Sequence, residues 1–446
     1  VLTRRVAQRN SKISFPQVKQ AGSMFAQAAT LVGIRGAEPG RPVEIIPSVV
    51  FGHGWSRDEA SGEMVADREL GLDSLHQGAT FRFGLTPNTS LGVALNPDFS
   101  QVESDPDLLD VNTRYALSLD EKRPFFLEGI DVFRTPYQRL YTRSIVSPAE
   151  GINLNGVENG WTVGVLHAID QLPAPSVVAE AATPGFGEDD VEGAVAVNNI
   201  VRVKRDLGRS AAVGIYLADK EVGRDLAAGP SGSHQVGSVD AYARVGDLLK
   251  ITGQGAYSTT AAVGGERIHG GAYAVDATLS DGRGSAWFEH GNTGRGFRNE
   301  TAFLHRADEI ELEAGADYRL DTGKRFLTEL YWGAETEVTF DHDGGFDGHE
   351  QDGWLRFKFG NLTYLSTWAG QWHEVYNQQR FDGAWAMAQL SSGELDAVRW
   401  YAEVGGGHEL NYDPDDLFQG DAFEVRGGAY VRLFRRLTLD INATHH

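Results

Sequence analysis

Acidic side chains dominate the places in this chain where chemistry could be done. Glu311, Glu313, Asp317, Glu329, Glu335 and Glu337 crowd two adjacent segments, with Arg319 among them. A field of like charges favours cations or polar solutes when it lines a pore; the plainer reading is wetting of a polar surface, balanced by Arg319, Arg356 and Lys358. Paired carboxylates also serve glycoside hydrolysis, which needs two at a defined separation. Here there are so many that no pair stands out, and the chain is read as a non-enzyme. A second cluster sets Asp98, Glu103, Asp105, Asp107 and Asp110 close in sequence to Arg114, Lys122, Arg123, Arg134, Arg139 and Arg143. Mixed charge of this kind suits a segment that bridges a polar space with ion pairs. A third, Asp341, Asp343 and Asp347 in a glycine-rich stretch, has the oxygen ligands that Ca²⁺ takes, although it lacks the closing Glu of a known calcium loop. Apart from that calcium candidate, no cofactor is expected.

Other motifs lack their context. Trp372-His373-Glu374 has no second His for a zinc helix, Gly253-Gln254-Gly255 falls inside a strand pattern, and Ser231 sits in a loop without a nucleophile elbow.

The elements that must position the carboxylates are strands. In 310–320, Ile310, Leu312, Ala314, Ala316, Tyr318 and Leu320 alternate with Glu311, Glu313, Gly315, Asp317 and Arg319. The partner segment sets Leu330, Trp332, Ala334, Thr336 and Val338 against Glu329, Tyr331, Glu335 and Glu337. Period-two patterning puts one set on each face of a sheet. The acids therefore share a face, and the opposite face is apolar. Segment 421–433 repeats the pattern, with Phe423 and Val425 opposed to Glu424 and Arg426. Runs of about 10–15 residues exceed the usual strand of about 5–6, and ten tilted residues cover the roughly 25 Å apolar band of a lipid bilayer.

Connections sharpen the reading. Short turns at 206–210, 246–247, 281–284, 321–324, 360–361, 391–394 and 435–436 alternate with long polar stretches near 220–235, 259–266, 293–305, 341–352, 374–379 and 411–420. Short turns at one end and long loops at the other mark outer-membrane barrels. The expected fold is all-β, a large antiparallel transmembrane barrel of about 22–26 strands when complete. Counting strands by direction gives about 21, an odd number that leaves the barrel incomplete at its C-terminal end. The count needs a return strand near 112–119 and an outward strand at 138–146; in the alternative, 120–150 crosses the lumen without spanning. Residues 1–40 read as a periplasmic lead-in and 41–446 as the barrel, with 95–145 either a plug or constriction, or a solvated outer loop followed by ordinary strands.

Composition agrees. The chain has 446 residues, 54 Gly, no Cys and a net charge of −22 from 40 Lys+Arg and 62 Asp+Glu. So acidic a chain lacks the basic footprint of a nucleic-acid binder, and it carries no thiolate metal site. No apolar run is long enough for a spanning helix.

One block is more specific than periodicity. Asn96-Pro-Asp-Phe-Ser-Gln-Val-Glu103, Glu121-Lys-Arg-Pro-Phe-Phe-Leu-Glu-Gly129 and Tyr141-Thr-Arg-Ser-Ile145, with the entry segment 33–50, resemble a family of uncharacterised bacterial outer-membrane barrels that follow a family-9-like carbohydrate-binding domain. The resemblance covers 33–165 in motif and implies a Gram-negative outer-membrane address and a link to glycans. It implies no established activity. The sequence departs from it in having no carbohydrate-binding domain ahead of the barrel and no closing strands with a terminal aromatic residue. The leading expectation is passage or capture of a substrate, a glycan or other polar solute, at the outer membrane. The rivals are a structural anchor for other envelope proteins and a membrane-bound glycan hydrolase.

Overall fold

The computed structural model describes residues 2–6, 11–15, 40–51, 55–57, 64–66, 75–97, 99, 114, 118–171, 194–223, 232–261, 266–304, 306–360, 363–392, 398–413, 416–433 and 437–445. Two small hairpins stand apart, β1 (Leu2–Val6) with β2 (Ser11–Phe15) and β4 (Trp55–Arg57) with β5 (Met64–Ala66).

Among the described residues, every other strand joins one sheet. It opens with β3 (Val43–Phe51), β6 (Leu75–Thr86), β7 (Thr89–Leu95), β8 (Pro148–Glu158), β9 (Trp161–Asp170), β10 (Val195–Asp206) and β11 (Ala211–Gly223). It continues through β12 (Gly232–Val245), β13 (Leu249–Ala261), β14 (Arg267–Ser280), β15 (Gly284–Thr293), β16 (Glu309–Asp321) and β17 (Leu327–Phe340). The last strands are β18 (Phe346–Phe359), β19 (Thr363–Tyr376), β20 (Gln379–Ser392), β21 (Val398–Asn411), β22 (Phe418–Leu433) and β23 (Leu437–His445).

Each strand pairs antiparallel with the next in that order, giving an all-β meander of 19 strands. The sheet curls until β23 neighbours β3. Those two run in the same direction, as the ends of an odd alternating series must. Among the described residues no paired register joins them, so the curled sheet has a seam rather than a continuous ladder there.

Period two decides the faces as expected. Ile215, Val239 and Phe423 point away from the interior at 51%, 61% and 61% exposure, while Arg202, Tyr216, Lys220, His234 and Ser258 are buried on the concave side. The polarity is thus the reverse of a soluble sheet packed on an apolar core. Turn chemistry holds the meander in register. Asn159 and Gly160, both at positive φ, make the two-residue turn between β8 and β9, the conformation whose twist suits a tight hairpin.

Three expectations are corrected. Residues 138–146 are not an outward strand: they are extended chain ending in a 3-10 turn, Thr142–Ser144. Of the return strand expected at 112–119, residues 112, 113 and 115–117 lie outside the described residues, and 114, 118 and 119 are not in a strand. β7 pairs directly with β8, so the directions close without either extra strand, and the count falls from about 21 to 19. Finally, two of the expected long loops are largely strand: 374–379 contains the two-residue turn Asn377-Gln378, and 341–352 is a short turn followed by the start of β18. Both had looked like loops because their strand residues are polar on both faces near the rim.

Candidate functional site

The concave interior divides into a filled part and an open part. Segment 118–147 fills the first, and glycines on the wall make room for it. A Cβ at Gly151 would lie 2.7 Å from the Phe125 ring, and one at Gly164 would lie 2.7 Å from Val132 and 2.9 Å from Phe133. Phe125, Phe126, Phe133 and Ile145 are buried with Leu166, Ile200 and Tyr216 of the wall, so the two adjacent Phe are packing residues.

The segment is closed on itself by a charged clamp. Arg123 donates from Nε and Nη2 to Glu121 at 2.9 and 2.7 Å, and to the carbonyls of Ile145 and Thr142 at 2.6 and 2.7 Å. The Thr142 hydroxyl donates to the same carboxylate at 2.6 Å. Burial pushes the Glu121 pKa up, but the hydrogen bonds from Arg123 and Thr142 outweigh it and hold the carboxyl below its ordinary value. The Arg123 guanidinium also lies 4.3 Å from the Phe126 ring centre. At its exit the segment is anchored by Asp170 of β9, whose carboxylate accepts from the backbone N–H of Val146 and Ser147 at 2.8 and 2.7 Å.

A second inward segment, 294–304, lies beside the first. Phe297, Arg298, Asn299, Glu300, Thr301 and Ala302 are all buried. The Tyr141 N–H donates to the Thr301 carbonyl at 2.7 Å, and the Tyr216 hydroxyl donates to the Arg139 carbonyl at 2.7 Å. Behind them Arg202 and Asp240 form a buried bidentate pair on the wall. This segment read as an outer loop in the sequence. Its polar residues turn inward, where Arg298 donates to the carbonyls of Arg295 and Phe297 and the Thr301 hydroxyl donates to Asn299, while Asn299 Nδ2 is left without an acceptor.

Of the mixed-charge candidates, Asp98, Glu103, Asp105, Asp107 and Asp110 lie outside the described residues. Arg114 crosses the interior to Glu374 of β19 at 2.5 Å, and Tyr412 donates to that carboxylate at 2.7 Å. Arg143 donates to the Asp120 carbonyl at 2.9 Å, and the Lys122 N–H reaches Glu121 at 3.0 Å. Of these, Arg114–Glu374 joins distant parts of the chain, whereas Arg123–Glu121 is local to the segment.

The open part is lined by β14 to β20. Asp276, Glu289, Glu313, Glu337 and Glu350 stand directly opposite one another on five successive strands. The next inward row holds Trp287, Gly315, Glu335, Asp352, Gly370 and Trp385. Asp317, Gly333, Trp354 and Trp368 form the row after it. Glu311 sits above these rows, while Glu329, Arg319, Arg356 and Lys358 occupy the short-turn end. All the acids named from the sequence thus share one wall, and the basic residues meant to balance them lie mostly further down it.

The tryptophans were missed. Trp287, Trp354, Trp372 and Trp385 lie across from Gly315, Gly333, Gly383 and Gly370, and their rings cover those glycines: a Cβ at Gly315 would meet Trp287 at 2.3 Å. This is aromatic cover of a cross-strand glycine. Trp287 donates from Nε1 to Glu313 at 2.7 Å and stacks near Trp354, with centroids 6.4 Å apart and planes at 17°. The signal was available: each Trp has the same strand parity as the acids.

The calcium candidate is not assembled. Asp341 accepts from the backbone N–H of Asp343 and Gly345, Asp343 pairs with Arg295 at 2.6 Å, and Asp347 pairs with Arg306. Among the described residues no group of three or more His, Asp or Glu side chains is placed to hold a metal.

No curated protein matches the chain. A family model described as a domain of unknown function (DUF5916) matches residues 61–162, the stretch that contains β6, β7, the inward segment 118–147 and β8.

Proposed function

We propose that this chain is an outer-membrane barrel protein that captures or passes a polar solute through a partly filled lumen. The observation that carries this reading is the acid row Asp276, Glu289, Glu313, Glu337 and Glu350, interleaved with indoles on an otherwise open wall. Like charges placed directly opposite across strands destabilise a sheet, by about 0.2–1 kcal/mol a pair. A row of them is poor for stability alone and useful where the wall meets cations or hydroxyl groups. Indole faces beside carboxylates suit polyhydroxylated solutes: the rings cover C–H faces and the carboxylates accept from hydroxyls. A glycan fits both, in line with the sequence resemblance. The outward apolar belt, with Ile215, Val239 and Phe423 exposed, is what lipid contact requires.

The sealed-anchor reading draws support from the two inward segments, which bury Phe125, Phe126, Phe133, Ile145 and Phe297 against the wall. Conductance in planar bilayers separates the two. Discrete, cation-selective steps are expected of the full chain; a refolded, inserted protein that carries no current would leave the anchor.

A further inference from the structure

A cavity of about 620 Å³ lies between the inward segment 136–139, the segment 299–306 and the wall of β13 to β16. Its polar lining is unusual in what is paired and what is not. Lys250 faces Asp276 at 3.8 Å, and Arg306 pairs with Asp347 and approaches Glu309 at 4.0 Å. Arg139 has no such partner. Its side chain lines the cavity with the residue only 7% exposed, its Nε is without an acceptor, and among the described residues no carboxylate pairs with it. The Phe297 ring lies 5.4 Å from its guanidinium carbon. Burial pulls its pKa down to about 10, with only the phenols of Tyr216 and Tyr137 opposing. Asn299, fully buried on the same lining, leaves its Nδ2 without an acceptor. Across the cavity Glu289 accepts from Tyr137, and Glu311 has no basic partner among the described residues.

An unpaired buried guanidinium is costly, and its fork geometry matches a carboxylate bidentately. We infer that this cavity binds a small zwitterion of the amino-acid or short-peptide class, its carboxylate on Arg139 and Asn299 and its ammonium toward Glu289 and Glu311. The inference rests on the reading of the lumen as a solute-facing space, but it does not depend on conduction.

The test is calorimetric titration of the folded full chain in detergent micelles with glycylglycine, N-acetylglycine and glycinamide. These carry both charges, the carboxylate alone and the ammonium alone. Glycylglycine should bind tightest. Arg139→Gln should weaken glycylglycine and N-acetylglycine by about tenfold and leave glycinamide unchanged; Glu311→Gln should do the reverse. Because Arg139 has no partner to orphan, Arg139→Gln should also leave the melting temperature unchanged or raise it. Equal affinity for all three probes, no binding of glycylglycine at millimolar concentration, or a lowered melting temperature in Arg139→Gln would each overturn the site. Loss of glycylglycine binding in a barrel that still conducts would condemn this cavity alone.

Discussion

Two parts of one interior are built by opposite rules. Around segments 118–147 and 294–304, Arg139 aside, buried charges are compensated: Arg123 with Glu121, Arg202 with Asp240, Asp170 with two backbone N–H groups. Along β14 to β18 the carboxylates of the acid row face one another; Glu313 accepts from the Trp287 indole and Asp276 from the Thr278 hydroxyl, Lys250 lies 3.8 Å from Asp276, and among the described residues no arginine pairs with the row. A buried charge must be compensated or it unfolds its surroundings. A wetted charge carries no such demand, since water screens it. The first part behaves as a mixed core, with Phe125, Phe126, Phe133 and Ile145 packed beside compensated charges, and the second as a surface folded inward.

Breaking the compensated side should have the largest effect. Arg123→Ala leaves Glu121 buried beside Thr142 without its guanidinium, and should destabilise by about 3–5 kcal/mol, read as a lower thermal unfolding midpoint. A milder mutation should still displace the filling. Gly151→Ala puts a methyl 2.7 Å from the Phe125 ring, and overpacking of this kind costs about 1–3 kcal/mol; faster proteolysis within 118–147 in the folded barrel is the readout. If Gly151→Ala is silent in both stability and proteolysis, the segment is not held by that wall.

The open side should answer in the other direction. Glu313→Gln with Glu337→Gln removes a directly opposed acid pair and should raise stability by about 0.2–1 kcal/mol while reducing cation selectivity, seen as a reversal potential closer to zero. A loss of stability would mean that the acids hold the wall together, erasing the contrast. The smallest effect is the pH dependence of the clamp. The Glu121 pKa is held below its ordinary value of 4.5, so its contribution is present above the unfolded-state value and is lost as pH falls through the lower folded value. Acid titration below pH about 4.5 should loosen 118–147 in the parent, and Glu121→Gln should remove that dependence, monitored by proteolysis across the pH series.

Much of this is legible in the sequence. Leu312, Ala314 and Ala316 against Glu311, Glu313 and Asp317 show which face is wet, because a strand has only two faces. The hairpin at Asn159-Gly160 is equally local, since two successive positive-φ positions want those residues. Residues 138–146 misled because extended chain and strand share a composition: Leu140 and Ile145 pack on the interior side and pair with no strand. Arg139 could not have been told from the surrounding arginines, as nothing local distinguishes a paired guanidinium from an unpaired one.

The sequence alone determined an all-β antiparallel meander with an apolar outer face and an acidic inner one, because alternation and turn chemistry act between near neighbours. Tertiary structure decided the rest. It fixed which acids fall in one row, which glycines receive a ring from the next strand or from segment 118–147, and that 294–304 turns inward. It also left Arg139 without a partner. Each of these depends on register and on contacts between residues far apart in the chain, where spacing along the sequence carries no information about distance in space.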